Sequence, residues 1–270
     1  MEKLKTGAVL ALFEPGNLKD NFEKTKYFLQ KAAEEKCDLV VFPEMNLTGY
    51  VTGSEICDTA IELDLSMIDR LESLSGNFKI SFLCGFAEKK GNQVFASHGF
   101  FSRGKFIGSY RKIQPGPPEL PHISPGKEIL LFDFMGWKIG IQLCFDAHFP
   151  EISTIMAKKG AELIIIPHAS PRGTPQEKFE SWKRHLPARA YDNGLYVMAL
   201  NQCGQNKKNL YFPGVSFLVN PSGKVEKVFL EENEMLACFE LDKSKISEVK
   251  NHRMKNFFQY RRGDFYKDNF

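Results

Sequence analysis

The chain has 270 residues, 43% of them hydrophobic, and a formal net charge of +3. That length suits one large domain or two small ones, and so small a charge excess gives no reason to expect nucleic acid or an anionic membrane as a partner. No apolar run is long enough to span a bilayer. The six cysteines, at positions 37, 57, 84, 144, 203 and 238, form no CxxC pair and no tight His/Cys spacing. Neither a zinc site nor a disulfide framework is therefore expected, and a reducing cytoplasm fits.

The chain opens on "MEKLKTGAVLALFEPGN", where two lysines precede a short apolar stretch. "EPGN" follows at once with no small-residue cleavage pattern, so the stretch reads as a first buried strand and not as a signal peptide. "NLKDNFEKTKYFLQKAAEEK" reads as a helix capped by Asn17, with Phe22, Leu29, Ala32 and Ala33 on its inner face. "CDLVVF", a short apolar run rich in β-branched residues, is expected to be a strand covered on both faces. "TAIELDLSMIDRLESLSG" reads as a second helix closed near Gly76. "FKISFLCGFAE", "QVFASHGFFS" and "KFIGSYRKI" follow as three strands, joined by turns at "KKGN" and "SRGK".

The second half repeats this order of elements without repeating its residues. "WKIGIQLCF" reads as a strand, and "PEISTIMAKKG" as a short helix with Pro150 in its first turn and Gly160 after its end. "AELIIIP" is another buried strand. "QEKFESWKRHLPARAYDN" is a helix bent or restarted at Pro187. "GLYVMALNQ", "GVSFLVN", "KVEKVFL" and "EMLACFELD" are strands, with "NPSG" as a hairpin turn. Both halves run from α/β units into antiparallel hairpins, and no Gly-, Ser- or Pro-rich linker divides them. The expected architecture is one α/β domain in which two sheets pack face to face under helices on both outer faces.

Three segments suggest chemistry. "LVVFPEM" leaves an apolar strand at Glu44, and "IGIQLCFD" leaves another at Cys144. Sheets of α/β proteins gather ligands at the carboxyl ends of their strands, so a carboxylate and a thiol placed there can share a cleft. Taken singly, Glu44 reads first as a solvated loop acid and Cys144 as a buried core thiol. Two details set Cys144 apart: the residues after it begin a helix, whose N-terminus lowers a thiol pKa, and "FDAHFP" is too polar for a core segment. "GSYRKIQPGPPE" adds Lys112 at a strand end and Glu119 in a Pro/Gly loop, although a lone lysine is most simply a surface residue.

Together, "FPEMNLTGY", "YRKIQPGPPE" and "LCFDAHFPE" resemble the three signature segments of the nitrilase superfamily, the carbon–nitrogen hydrolases. The resemblance extends over nearly the whole chain, through "LPARAYDNGLYVMALNQ" and "FPGVSFLVNPSGKV" to the closing "RRGDFY". It implies a four-layer αββα sandwich of two mixed β-sheets, formed by residues 1–270 as a single domain. It implies a site in which Glu44 is the general base, Lys112 the cation at the oxyanion, Cys144 the nucleophile and Glu119 a second, positioning glutamate. Neither metal nor cofactor is implied.

The expected activity is hydrolysis of a small linear amide or N-carbamoyl compound through a thioester on Cys144. Phe145 and His148 would face the substrate: the Phe145 backbone N–H as a second oxyanion donor, and His148 where amidase-like members of the family carry an arginine. A packing role for His148 reads equally well, and Arg172 reads as a solvated loop residue that an acidic substrate could meet. An acyltransferase sharing the same acyl-enzyme, and a catalytically silent scaffold, remain alternatives. The aromatic tail over residues 251–270, "MKNFFQYRRGDFY" and its neighbours, would lie in a homodimer interface, where its rings are covered.

Overall fold

The computed structural model describes residues 2–267. The first half contains β1 (Lys3–Leu10), α1 (Leu18–Glu34), β2 (Leu39–Val41), α2 (Glu55–Thr59), β3 (Ile61–Glu62), α3 (Leu65–Phe78), β4 (Ser81–Lys90), β5 (Gln93–Ser102) and β6 (Lys105–Arg111). The second contains β7 (Leu131–Phe134), β8 (Trp137–Ile141), α4 (Pro150–Lys158), β9 (Leu163–Pro167), α5 (Pro175–Lys183), α6 (Leu186–Asn193), β10 (Tyr196–Leu200), β11 (Gly204–Gln205), β12 (Tyr211–Phe212), β13 (Gly214–Val219), β14 (Val225–Glu231), β15 (Met235–Asp242), α7 (Lys243–Asn251) and α8 (Gly263–Lys267).

Two mixed sheets result. One runs β15-β1-β2-β4-β5-β6, with β3 beside β4, and the other runs β14-β13-β10-β9-β8-β7. β1, β2 and β4 pair in parallel, as do β8, β9 and β10, while the remaining pairs within these two paths are antiparallel. The central strands carry continuous apolar runs such as "LIIIP" and "YVMAL" because both of their faces are covered. Leu10, Val41, Leu83 and Phe100 from the first sheet meet Ile139, Ile165 and Leu200 from the second in one core. On the outer face of the first sheet, Phe28, Leu29 and Leu71 of α1 and α3 pack on Val9, Val40 and Phe82. This is the expected αββα layering.

Element boundaries moved where a local interaction overrode the period. The helix expected from residue 59 begins at Leu65, because the Asp64 carboxylate accepts from Met67 N at 2.8 Å and caps it there. Residues 61–62 before it pair with β4 as a short strand. The same helix runs past Gly76 and closes on Lys79 in the left-handed conformation. The segment around Pro187 is two helices, α6 starting afresh with Pro187 in its first turn. β7 and α7 carried no expectation. The final strand is the largest departure: β15 does not continue the hairpin series beside β14 but crosses to the first sheet and pairs antiparallel with β1 along its whole length.

Candidate active site

Glu44, Lys112 and Cys144 each stand just beyond a strand. Glu44 follows β2 and sits in a turn that passes very close to β4: a Cβ on Gly85 would lie 2.4 Å from Met45 N and 3.1 Å from Pro43 O. Only glycine fits there, so Gly85 sets how deeply the Glu44 turn reaches in. Lys112 follows β6, with its own N–H still bonded to Ala96 O. Cys144 follows β8 as the first residue of a five-residue 3-10 helix that leads into α4, and its φ of 42° is left-handed. A non-glycine residue is held there at a cost of order 1 kcal/mol, a strain found where a side chain must be aimed.

The segments that follow β2 and β6 bring a buried ionic cluster together. Lys112 Nζ donates to Glu44 Oε1 at 2.9 Å and to Glu119 Oε1 at 2.8 Å, and these three side chains are 1–2% exposed. The remaining oxygens are also used: Glu44 Oε2 accepts from Ala169 N at 3.1 Å, and Glu119 Oε2 from Gly116 N. The Glu119 loop is anchored as well, since Gly53 N donates to Pro118 O and His122 N to Glu119 O. Glu119 is therefore a fixed partner of Lys112.

Burial pushes the Glu44 carboxyl up to about 7, against the opposing pull of Lys112. Burial alone would lower the Lys112 ammonium, but Glu44 and Glu119 outweigh it and hold its pKa above the ordinary lysine range. The Cys144 thiol feels all three charges. The sequence led us to expect a depressed thiol pKa at a helix N-terminus; instead burial, then the Glu44 carboxylate, push it well up. A short 3-10 turn offers too little dipole to reverse desolvation. The resting thiol is protonated, so the site needs a base.

Asp146 was passed over in the sequence. Its buried carboxylate accepts from Tyr110 Oη at 2.8 Å, Gln114 N at 2.7 Å and Leu143 N at 2.9 Å, tying the Cys144 turn to the Lys112 segment. Arg189 of α6 holds the same turn from the other side, donating to Ala147 O and His148 O. The hint available in the sequence was the pairing of "SYRK" with "CFD", a tyrosine and an acid each two residues from a candidate. Ala169 lies in "PHASPRG" at the end of β9, another strand end.

The substrate-facing candidates diverge. Phe145 is partly buried beside Cys144, and a Cβ at Gly116 would lie 3.7 Å from its ring. His148 is exposed, with its ring stacked on His185 at 4.6 Å and 5.3 Å from the Phe145 ring. Arg172 is exposed. Lys178 of α5 is the cation that sequence reading missed. Its Nζ is held by Ser170 Oγ at 3.0 Å and Pro171 O at 2.9 Å, next along the chain from Ala169. Among the described residues no carboxylate lies within ion-pair distance of it.

A family model described as carbon–nitrogen hydrolase matches residues 9–251. The chain is similar to a probable nitrilase of Schizosaccharomyces pombe, 27% identical with 93% of each chain covered. It is also similar to a deaminated glutathione amidase of Dictyostelium discoideum, 27% identical over 96% of this chain and 97% of the relative. Among solved structures, an amidase of the nitrilase superfamily from Nesterenkonia AN1 superposes with a TM-score of 0.84 at 22% identity, covering 100% of this chain and 98% of that one.

Proposed function

The chain belongs to the carbon–nitrogen hydrolase family, and from that premise we propose that it hydrolyses a small linear amide or N-carbamoyl compound through a thioester on Cys144. One observation carries the reading most: a lysine pinned between two buried carboxylates, one of them with a pKa of about 7, beside a strained cysteine. A base that titrates near the working pH suits proton transfer. As Cys144 sulfur attacks the carbonyl carbon, Glu44 takes the thiol proton. The oxyanion is held by the Lys112 ammonium and by Phe145 N–H, which precedes Asp146 N, the donor that closes the first turn on Leu143 O. One such donor is worth about 3 kcal/mol. Glu44 passes the proton to the leaving nitrogen, ammonia or an amine departs, and Glu44 then activates the water that releases the acid. Glu119 keeps Lys112 charged and in place.

Lys178, which among the described residues has no carboxylate at ion-pair distance and whose charge is felt at Cys144, gives the approach to this cluster a positive group, which favours an acyl chain that itself ends in a carboxylate. Amides with and without a distal carboxylate, compared as kcat/KM in the native protein and in Lys178→Met, test that preference. The wider reading is tested by intact mass spectrometry with a panel of amides and carbamoyl compounds beside an ammonia assay. An acyl adduct on Cys144 is expected. An unmodified cysteine with every compound, and no ammonia released, would remove it.

The same reading carries an expectation about assembly. Phe257 packs on Tyr191 of α6 with ring centroids 5.2 Å apart, and Arg261 donates to Thr154 of α4, while Tyr260 stays 61% exposed. Residues 268–270 of the tail lie outside the described residues. We place a second copy of the chain over this aromatic surface; light scattering during gel filtration should give at least a dimer, and a monomer at micromolar concentration overturns that.

A further inference from the structure

Six thiols are present and none is bonded, yet two of them, 201 positions apart, face each other: Cys37 Sγ and Cys238 Sγ are 3.8 Å apart. They lie on the outer face of the first sheet, against the α1 layer, and take no part in the ionic cluster. Cys37 ends the turn that follows α1, and Cys238 lies on β15 directly across from Gly7 of β1. Gly7 in turn pairs with Val40 of β2 on its other side. The two thiols therefore meet over a single glycine. A Cβ on Gly7 would stand 3.3 Å from Cys37 Sγ and 2.9 Å from Leu236 Cδ1, so any side chain there would crowd Cys37 and Leu236. The chain carries its one bare position on β1 at the point where two cysteines approach.

The pair is also asymmetric. Cys37 is buried, whereas Cys238 is partly exposed at a surface groove lined by Lys31, Glu34, Lys227 and Phe229. Lys227 Nζ donates to Cys238 O at 2.9 Å. The Cys37 S–H, and then Lys5 and Lys227, favour the thiolate of Cys238 and hold its pKa below the ordinary thiol range, against burial and Glu35. An accessible sulfur with thiolate character beside a covered partner is the arrangement of an attacking and a resolving thiol.

We propose that Cys37 and Cys238 form a reversible, peroxide-driven disulfide site on the face of the molecule away from the amide chemistry. Cys238 thiolate attacks one oxygen of hydrogen peroxide; the O–O bond breaks, sulfur is oxidised to the sulfenic acid and hydroxide leaves. Cys37 sulfur then attacks the Cys238 sulfur, the S–O bond breaks, and the Cys37 proton leaves with the hydroxyl as water. For hydrogen peroxide the sum is two thiols and one peroxide giving one disulfide and two waters. Closing the gap requires the sulfurs to approach by just under 2 Å to the usual disulfide length of about 2.05 Å. The bond staples β15 to the start of β2 and spans most of the chain, so the oxidised protein should melt at a higher temperature than the reduced one.

The test uses full-length protein carrying Cys144→Ala, so that the candidate nucleophile does not consume oxidant. It is treated with one to a few equivalents of hydrogen peroxide and then blocked with N-ethylmaleimide. The expected result is a mass loss of roughly 2 Da before blocking, two fewer maleimides after it than on the reduced protein, a linked peptide joining Cys37 to Cys238, and full reversal by dithiothreitol. Cys238→Ser should abolish the linkage. Cys37→Ser, as a second variant, should leave a sulfenic acid on Cys238 that dimedone traps. In the native background, both serine variants should retain amide turnover. Maleimide on both cysteines after peroxide, direct passage of Cys238 to the sulfinic acid in the presence of Cys37, or pairing with another cysteine would each overturn the proposal.

Discussion

Arg111 and Lys112 are consecutive residues at the end of one strand, both cations paired with glutamate, and they face opposite sides of the first sheet. Arg111 turns outward: its guanidinium grips Glu88, which also accepts from Ser97 Oγ at 2.6 Å, and its plane lies 4.3 Å over the Phe95 ring. Lys112 turns inward to Glu44 and Glu119. Burial opposes ionisation at Glu88 too, but Arg111 and Ser97 prevail and its carboxyl falls below the ordinary value. At Glu44, fully enclosed and sharing its cation with a second carboxylate, burial prevails and the carboxyl rises to about 7. A cationic neighbour therefore does not set a carboxylate's pKa; the water left around the pair and the number of acids sharing the cation do. The outer pair holds strands together, and the inner cluster keeps a proton available.

The contrast breaks most visibly at the thiol the inner cluster serves. Cys144→Ala should lower turnover by at least about 10³-fold with an unchanged circular dichroism spectrum, since no other nucleophile stands in the motif. An active, folded mutant would end the covalent mechanism. Next in size, Glu44→Gln keeps shape and hydrogen bonding but removes basicity, so turnover should fall by about 10² to 10⁴-fold. Glu88→Gln on the outer face should leave it within a factor of about two, its cost being confined to stability at roughly 1 kcal/mol or less.

Glu119→Gln separates the two inner acids. With the carbonyl poorly placed, amide turnover should drop by about 10²-fold. The iodoacetamide labelling rate of Cys144 should stay close to normal, because Glu44 remains. If Glu119→Gln lost labelling while Glu44→Gln kept turnover, the two roles would be exchanged.

The smallest effect sharpens the comparison through pH. The folded pKa of Glu44, about 7, lies above its ordinary 4.5, so between those values the native chain holds a proton that the unfolded chain has released. Its contribution to stability therefore falls as pH rises from about 4.5 to about 7. Glu88 has the opposite sign: its contribution is complete above the ordinary carboxylate range and is lost as pH falls through its depressed folded value. Melting curves of the native protein, Glu44→Gln and Glu88→Gln across pH 3 to 8 should give difference plots of opposite slope, on the order of 1–3 kcal/mol at the inner site. Parallel slopes would dissolve the distinction.

What the sequence determined by itself is what short-range pattern can encode. Apolar runs marked the buried strands, and Asn17, Pro150 and Pro187 marked helix starts. Glu44, Lys112 and Cys144 could be placed near strand ends from local order, and it was the resemblance of their three segments to those of the family that grouped them as a site. Tertiary structure alone decided which distant groups those ends would meet. The Ala169 amide reaches Glu44 across 125 positions, Asp146 ties Tyr110 to the cysteine turn, and β15 crosses to the first sheet, which brings Cys238 to Cys37. It also reversed the expected direction of the Cys144 pKa and stacked His148 on His185. The physical reason is common to all of these: desolvation and ion pairing depend on everything that encloses a group in three dimensions, whereas a sequence motif specifies only the few residues adjacent to it along the chain.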